Sequence, residues 1–70
     1  MSALATCTVV RLNHQNLNEP IPVEGFEENE KSYEAHILFF ENAKAYVIKD
    51  STKKLFWVNI YQLTNLEPIL

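Results

Sequence analysis

Cys7 has no second cysteine to pair with, and Gly25 is the only glycine in the chain. The lone thiol excludes an internal disulfide, a common staple of domains this small. Structural zinc takes four ligands, chiefly Cys and His, and the chain offers Cys7, His14 and His36 at no motif spacing. No run approaches the roughly 18 apolar residues that a membrane-spanning helix needs. Met1 to Val10 has neither the basic start nor the unbroken apolar stretch of an export signal. With a single thiol, these absences predict a cytoplasmic protein without a membrane partner. One glycine and three prolines exclude a flexible linker or low-complexity repeat. No P-loop, G-x-G-x-x-G, H-E-x-x-H or G-x-S-x-G is present, which removes the usual phosphate-binding, metallopeptidase and hydrolase signatures.

What is there is small and apolar enough to fold. A chain of 70 residues buries only about 60% of its unfolded surface, so its stability margin is thin. Good packing or a second copy must supply the rest, and a homodimer is one expectation. The 47% apolar content is too high for disorder. The net charge of −3 argues against bulk attraction to phosphates. That charge is uneven. Glu24, Glu27, Glu28, Glu30 and Glu34 crowd together with only Lys31 among them, and Lys44, Lys49, Lys53 and Lys54 follow. The spacing predicts an electrically two-sided molecule.

The chain is organised around Tyr33 to Ile60, three apolar runs separated by two short polar turns. Tyr33 to Phe40 alternates as a strand does, with Ala35, Ile37 and Phe39 on one face and His36, Leu38 and Phe40 on the other. Lys44 to Asp50 and Lys54 to Ile60 read as the next two strands, joined by Glu41-Asn42-Ala43 and by Asp50 to Lys53. Before them, the β-branched Ala5 to Leu12 reads as a first strand. Asn13 to Ser32 is a long aperiodic loop, with a weak helical signal at Glu27 to Tyr33. Tyr61 to Thr64 breaks the alternation as a 3₁₀ turn. Leu66 to Leu70 reads as a last strand that Pro68 confines to an edge.

Strand, long loop, three-strand meander, 3₁₀ turn and short strand together resemble the SH3-like small barrels, with Asn13 to Ser32 in the place of the RT loop. Locally, Tyr33-Glu34-Ala35, Tyr46-Val47-Ile48-Lys49-Asp50 and Leu63 are similar to a Tudor repeat. That resemblance implies an all-β, five-stranded barrel and aromatic residues at the strand ends, which Phe39, Phe40, Tyr46 and Trp57 would supply. The chain lacks the ALYDY-like strand and the PxxY motif of peptide-binding SH3 domains, so the fold alone carries over.

The predicted site is a binding surface, not a catalytic centre. Cys7 reads as a small strand residue rather than a nucleophile, and His14 and His36 lack a third partner. No cofactor is expected. If Ala35, Ile37, Phe39, Ala45, Val47, Phe56, Val58 and Ile60 face the core, then His36, Leu38, Phe40, Tyr46, Ile48, Leu55 and Trp57 form an outer face too apolar for plain exposure. Two covers compete for it: the long loop, through Ile21, Val23 and Phe26, or a partner. The function expected is a non-catalytic regulator or inhibitor that docks on a protein with a basic surface. Glu24, Glu27, Glu28 and Glu30 would steer it, and Phe40, Tyr46 and Trp57 would anchor it. The alternative is a nucleic-acid-binding barrel that uses Lys44, Lys49, Lys53 and Lys54 beside the aromatics.

Overall fold

The computed structural model describes residues 2–69. They form five antiparallel strands and one 3₁₀ turn, with no α-helix among the described residues. The strands are β1 (Ala5–Val10), β2 (Ser32–Glu41), β3 (Lys44–Lys49), β4 (Leu55–Asn59) and β5 (Leu63–Pro68). Their order in the sheet is β4-β3-β2-β1-β5. No pairing joins β4 to β5 among the described residues, so the sheet is open, in a form compatible with a small barrel-like fold.

The meander closes as the turn residues dictate. Asn42 takes a positive φ of 56° between β2 and β3, a conformation Asn tolerates better than most residues. Between β3 and β4, Lys53 sits at φ 60° and its N–H donates to the Lys49 carbonyl at 2.8 Å. The core face carries Ala5, Cys7 and Val9 of β1, Tyr33, Ala35 and Ile37 of β2, Ala45 and Val47 of β3, and Val58 of β4, all buried. These are every second residue of each strand, as a pleated sheet with one packed face requires.

The alternation breaks once, and the break matters. Ile37 pairs with Val47, but Phe39 rather than Leu38 pairs with Tyr46. Leu38 is the extra residue of a β-bulge, and a one-residue insertion exchanges the faces of everything beyond it. Phe39, expected in the core, therefore lies on the outer face. Phe40 takes the register position opposite buried Ala45 and is half exposed at the end of the strand.

The long loop closes the core face, not the outer one. Phe26 is fully buried, its ring edge-on to Tyr33 at 5.0 Å. Ile21 remains 70% exposed. Two cations hold the loop in place. Arg11 donates to the carbonyls of Asn16, Glu27 and Glu30, with its guanidinium 4.9 Å from the Phe26 ring centroid. Lys49, 2% exposed, donates from Nζ to the Gly25 carbonyl at 2.9 Å and to Glu30 Oε1 at 2.6 Å. Gly25 is required here. Its φ is 91°, and a Cβ would lie 2.7 Å from Tyr33 Oη and 2.8 Å from the Phe56 ring. The weak helical signal at Glu27 to Tyr33 does not survive, because these carbonyls are spent on Arg11 and on turns rather than on a helical ladder.

The 3₁₀ turn spans Ile60–Gln62, one residue earlier than expected. Gln62 is buried; its Oε1 accepts from the Asn59 N–H at 2.8 Å, and its Nε2 donates to the Val10 carbonyl at 3.1 Å. That clamp ends the turn and lets β5 begin at Leu63 instead of Leu66. Asn65, at φ 54°, lies within the irregular stretch of β5 pairing that hid this strand from a periodic reading. Pro68 does stand on an edge strand. Leu70, the expected strand end, lies outside the described residues.

Candidate functional site

The outer face can be read row by row from the strand registers. Leu55, Ile48 and His36 form one row, and Trp57, Tyr46 and Phe39 the next. Asn59, Lys44 and Glu41 form the third. The middle row is wholly aromatic. Ring centroids are 4.8 Å apart for Tyr46–Trp57, 5.2 Å for Phe39–Tyr46 and 5.6 Å for Phe39–Trp57, the last pair edge-on. Such tilted and edge-on contacts add about 0.5–1.5 kcal/mol per pair beyond area burial. The rings thus hold one another in a fixed platform. Trp57 is 41% exposed and Leu55 47% exposed, so the platform is open to solvent along β4. A hollow of about 350 Å³ beside it is lined by Glu41, Asn42, Ala43, Lys44 and Trp57.

Of the expected anchors, Tyr46 and Trp57 are brought together and Phe40 is not; the bulge at Leu38 substitutes Phe39 for it. A count of alternating positions cannot find a bulge. A hint was available in the chain, since Leu38-Phe39-Phe40 is an apolar run that strict alternation leaves half unexplained.

The charged candidates divide in the same way. Lys49 was expected on the basic strand pair, but it is a core residue that faces inward with Val47 and Ala45. It holds the loop and is not available to phosphates. Lys44, Lys53 and Lys54 are exposed. Among the glutamates, Glu30 pairs with Lys49 and also accepts from the Glu27 N–H at 3.1 Å. Partial burial pushes its carboxyl up, but the Lys49 ammonium and that N–H outweigh it and hold the group below the usual carboxylate range. Glu24 takes φ 52°, accepts from Gln15 Nε2 at 2.9 Å, and its carbonyl accepts the Tyr33 hydroxyl at 2.6 Å. Of the four glutamates expected to steer, Glu27 and Glu28 stay solvent-facing. The loop is anchored by Tyr33 and Lys49, which face the core, whereas the aromatic row lies on the opposite face of the sheet, three residues from Lys49 along β3, about 10 Å at strand rise. The acidic loop and the aromatic face are therefore separate surfaces.

His36 Nδ1 lies 2.6 Å from Asp50 Oδ1 on the outer face. A carboxylate can orient an imidazole in this way, but no hydroxyl or thiol hydrogen-bonds this one among the described residues. Cys7 is on the opposite face, 2% exposed. Burial, then the charges of Glu34 and Asp50, raise its thiol pKa to about 11. Cys7 is therefore expected to react with a thiol–disulfide reagent only as fast as the protein opens. In neutral buffer that means about a thousandfold more slowly than in denaturant. A native rate matching that of a free cysteine would place the thiol at the surface and contradict this packing. His14 is exposed. Among the described residues, no three His, Cys, Asp or Glu side chains gather as a metal ion would require, and no helix is long and apolar enough to cross a membrane. No protein-family model, curated protein or solved structure matches this chain.

Proposed function

We propose that the protein is a non-catalytic docking module of the SH3-like small-barrel kind. It binds another protein through Phe39, Tyr46 and Trp57 and acts as a regulator or inhibitor of that partner. One observation carries the reading. The three rings form a solvent-open platform on one face of the sheet, while Phe26, the buried apolar residue of the long loop, is spent on the other face. Aromatic residues of these types dominate interface energetics when a partner excludes water from them. The element order, with the long loop after β1 and the 3₁₀ turn before β5, supports the SH3-like assignment. Glu27 and Glu28 remain available for steering a basic region of the partner, at a distance from the anchor.

The second reading, nucleic-acid binding, keeps Lys44, Lys53 and Lys54 beside rings that could stack on bases. It loses Lys49, and three cations on a chain of net charge −3 make a weak electrostatic footprint.

The test is capture from nuclease-treated lysate with the wild type and with Trp57→Ala. Trp57 is 41% exposed, so the variant is expected to keep its fold, checked by its amide spectrum. Affinity for the captured protein is expected to fall about thirtyfold or more, the size of an interface hot spot. A folded variant that binds as the wild type does would misplace the anchor. Retention that appears only when nucleic acid is restored would transfer the site to the second reading.

A further inference from the structure

We propose that the partner enters as an extended, acidic segment that pairs with the free edge of β4 and becomes a sixth strand. The inference rests on the docking reading above and names the chemistry of what docks.

β4 ends the strand order, so one of its sides has no neighbouring strand among the described residues. The register with β3 shows which main-chain groups face that side. Lys49 N–H donates to the Lys54 carbonyl at 2.9 Å, and Ile60 N–H donates to the Ala43 carbonyl at 3.0 Å. Between these two bonded pairs the register runs unbroken. Antiparallel ladders alternate bonded and non-bonded pairs. Phe56 and Val58 therefore turn their main-chain groups to β3, while Leu55, Trp57 and Asn59 turn theirs to the free edge. Asn59 N–H is already taken by Gln62 Oε1. Among the described residues, Leu55 and Trp57 keep a donor and an acceptor each. The same two residues carry their side chains on the outer face, beside Ile48 and Tyr46. Trp57 thus presents an open N–H, an open carbonyl and a half-exposed indole together. Strand addition uses this combination: main-chain bonds give affinity, and side-chain contacts on alternate residues give specificity.

The opposite edge is protected and this one is not. β5 carries Pro68, which has no N–H, charged Glu67, and an irregularity at Asn65. These are devices that discourage edge pairing. Leu55–Asn59 contains no proline and no charge, and its pairing shows no bulge.

Charge selects the occupant. Lys53 and Lys54 precede β4, and Lys44 stands beside Asn59 at the other end. All three are exposed, and none forms an ion pair among the described residues. The nearby carboxylates are largely engaged: Asp50 with His36, Glu30 with Lys49 and Glu34 with the Thr8 hydroxyl at 3.0 Å. Glu41 faces Lys44 across β2 and β3. Cations at both ends of an apolar edge suit a strand with Asp or Glu at its flanks. A second copy suits it poorly. Symmetric pairing about Trp57 would set Lys53 and Lys54 of one copy at the Lys44 end of the other, like charge against like. Nucleic acid leaves the alternating donors and acceptors of the edge unmatched.

The test is selection of a phage-displayed random-peptide library on the immobilised full chain. Enriched sequences are then made as synthetic peptides and titrated by amide NMR with hydrogen exchange. The expected result is enrichment of β-branched peptides flanked by Asp or Glu. Bound peptide should slow exchange of the Leu55 and Trp57 amides by about tenfold or more. Lys53→Glu with Lys54→Glu should weaken binding by about tenfold. Failure to enrich, or enrichment of neutral or basic peptides, overturns the proposal. Peptides that shift the Trp57 indole but leave the Leu55 and Trp57 amides exchanging freely overturn strand addition and leave the docking face standing. Peptides that move neither overturn both. Protection that grows with concentration of the chain alone assigns the edge to a second copy, and protection by a single-stranded oligonucleotide assigns it to nucleic acid; either overturns the proposal.

Discussion

Replacing Lys49 by alanine is expected to lower stability by about 3 kcal/mol, at the lower end of what breaking a buried ion pair costs. A domain of 70 residues holds only about 4–10 kcal/mol in total, so the loss is a large fraction of the whole. The reasoning starts from burial. Lys49 is 2% exposed, and its ammonium is the donor to both the Gly25 carbonyl and the Glu30 carboxylate. Its ammonium also lies over the Tyr33 ring, with Nζ 4.9 Å from the centroid. Alanine removes the donor, leaves the carbonyl unpaired and opens a cavity. The cost stays at the lower end because the Glu30 side chain is 29% exposed and can recover water. Lys49→Met keeps the stem and loses only the cation, so it should cost less. Urea unfolding of the three proteins gives the comparison, and an alanine variant within about 1 kcal/mol of the wild type would show that the ammonium does not hold the loop.

The same pair sets a pH dependence. Glu30 titrates lower when folded than when unfolded, so its contribution is present above the ordinary carboxylate range. It is lost as pH falls through the folded value. Lys49→Met should flatten that acid-side slope, since the main charge holding Glu30 ionised is gone. A slope unchanged by the substitution would assign it to other carboxylates.

Phe26→Ala is expected to cost about 3–5 kcal/mol, the range for emptying a fully buried aromatic site. Phe26 is 0% exposed, edge-on to Tyr33 and covered by the Arg11 guanidinium. Its main chain bridges to Val23, with Phe26 N–H donating to the Val23 carbonyl at 2.9 Å. Phe26→Leu should recover part of the loss, as it refills some of the volume. Trp57 fluorescence in the folded state should not change, because the indole stands on the opposite face. Loss of stability together with a shifted native Trp57 emission would mean that the loop reaches the aromatic row after all.

The contrast between Phe26 and Phe39 shows where reading from periodicity stops. Strand periodicity was legible in Cys7–Val9, in Tyr33–Ala35–Ile37 and in Ala45–Val47, because a half-buried strand writes its two faces at a period of two. The turns were legible in Asn42 and in Asp50-Ser51, because short polar side chains of these types suit turns; the positive φ of Lys53 is not legible in that way. Alternation places Phe39 on the wrong face because the apolar run Leu38-Phe39-Phe40 does not say where a bulge falls; that is fixed by which partner residue closes the next hydrogen bond. The apolar residues of the loop predict that it packs back, but not which face it covers. Ile21, Val23 and Phe26 look alike in sequence, and only the third finds a site.

Lys49 is the clearest case. A lysine in a strand of alternating pattern reads as a surface cation, since burying an ammonium without a partner is prohibitive. Its partners come from Gly25 and Glu30, 24 and 19 residues away, and no local rule connects them. Composition and alternation were enough to determine an all-β chain of five strands, the two turns of its meander and an apolar excess on its sheet. The tertiary structure alone decided which aromatics share a row, which charges are spent inside and which strand keeps an open edge. Those outcomes depend on register and on contacts between residues far apart in the chain, and on the shared requirement that every buried charge and main-chain group find its partner.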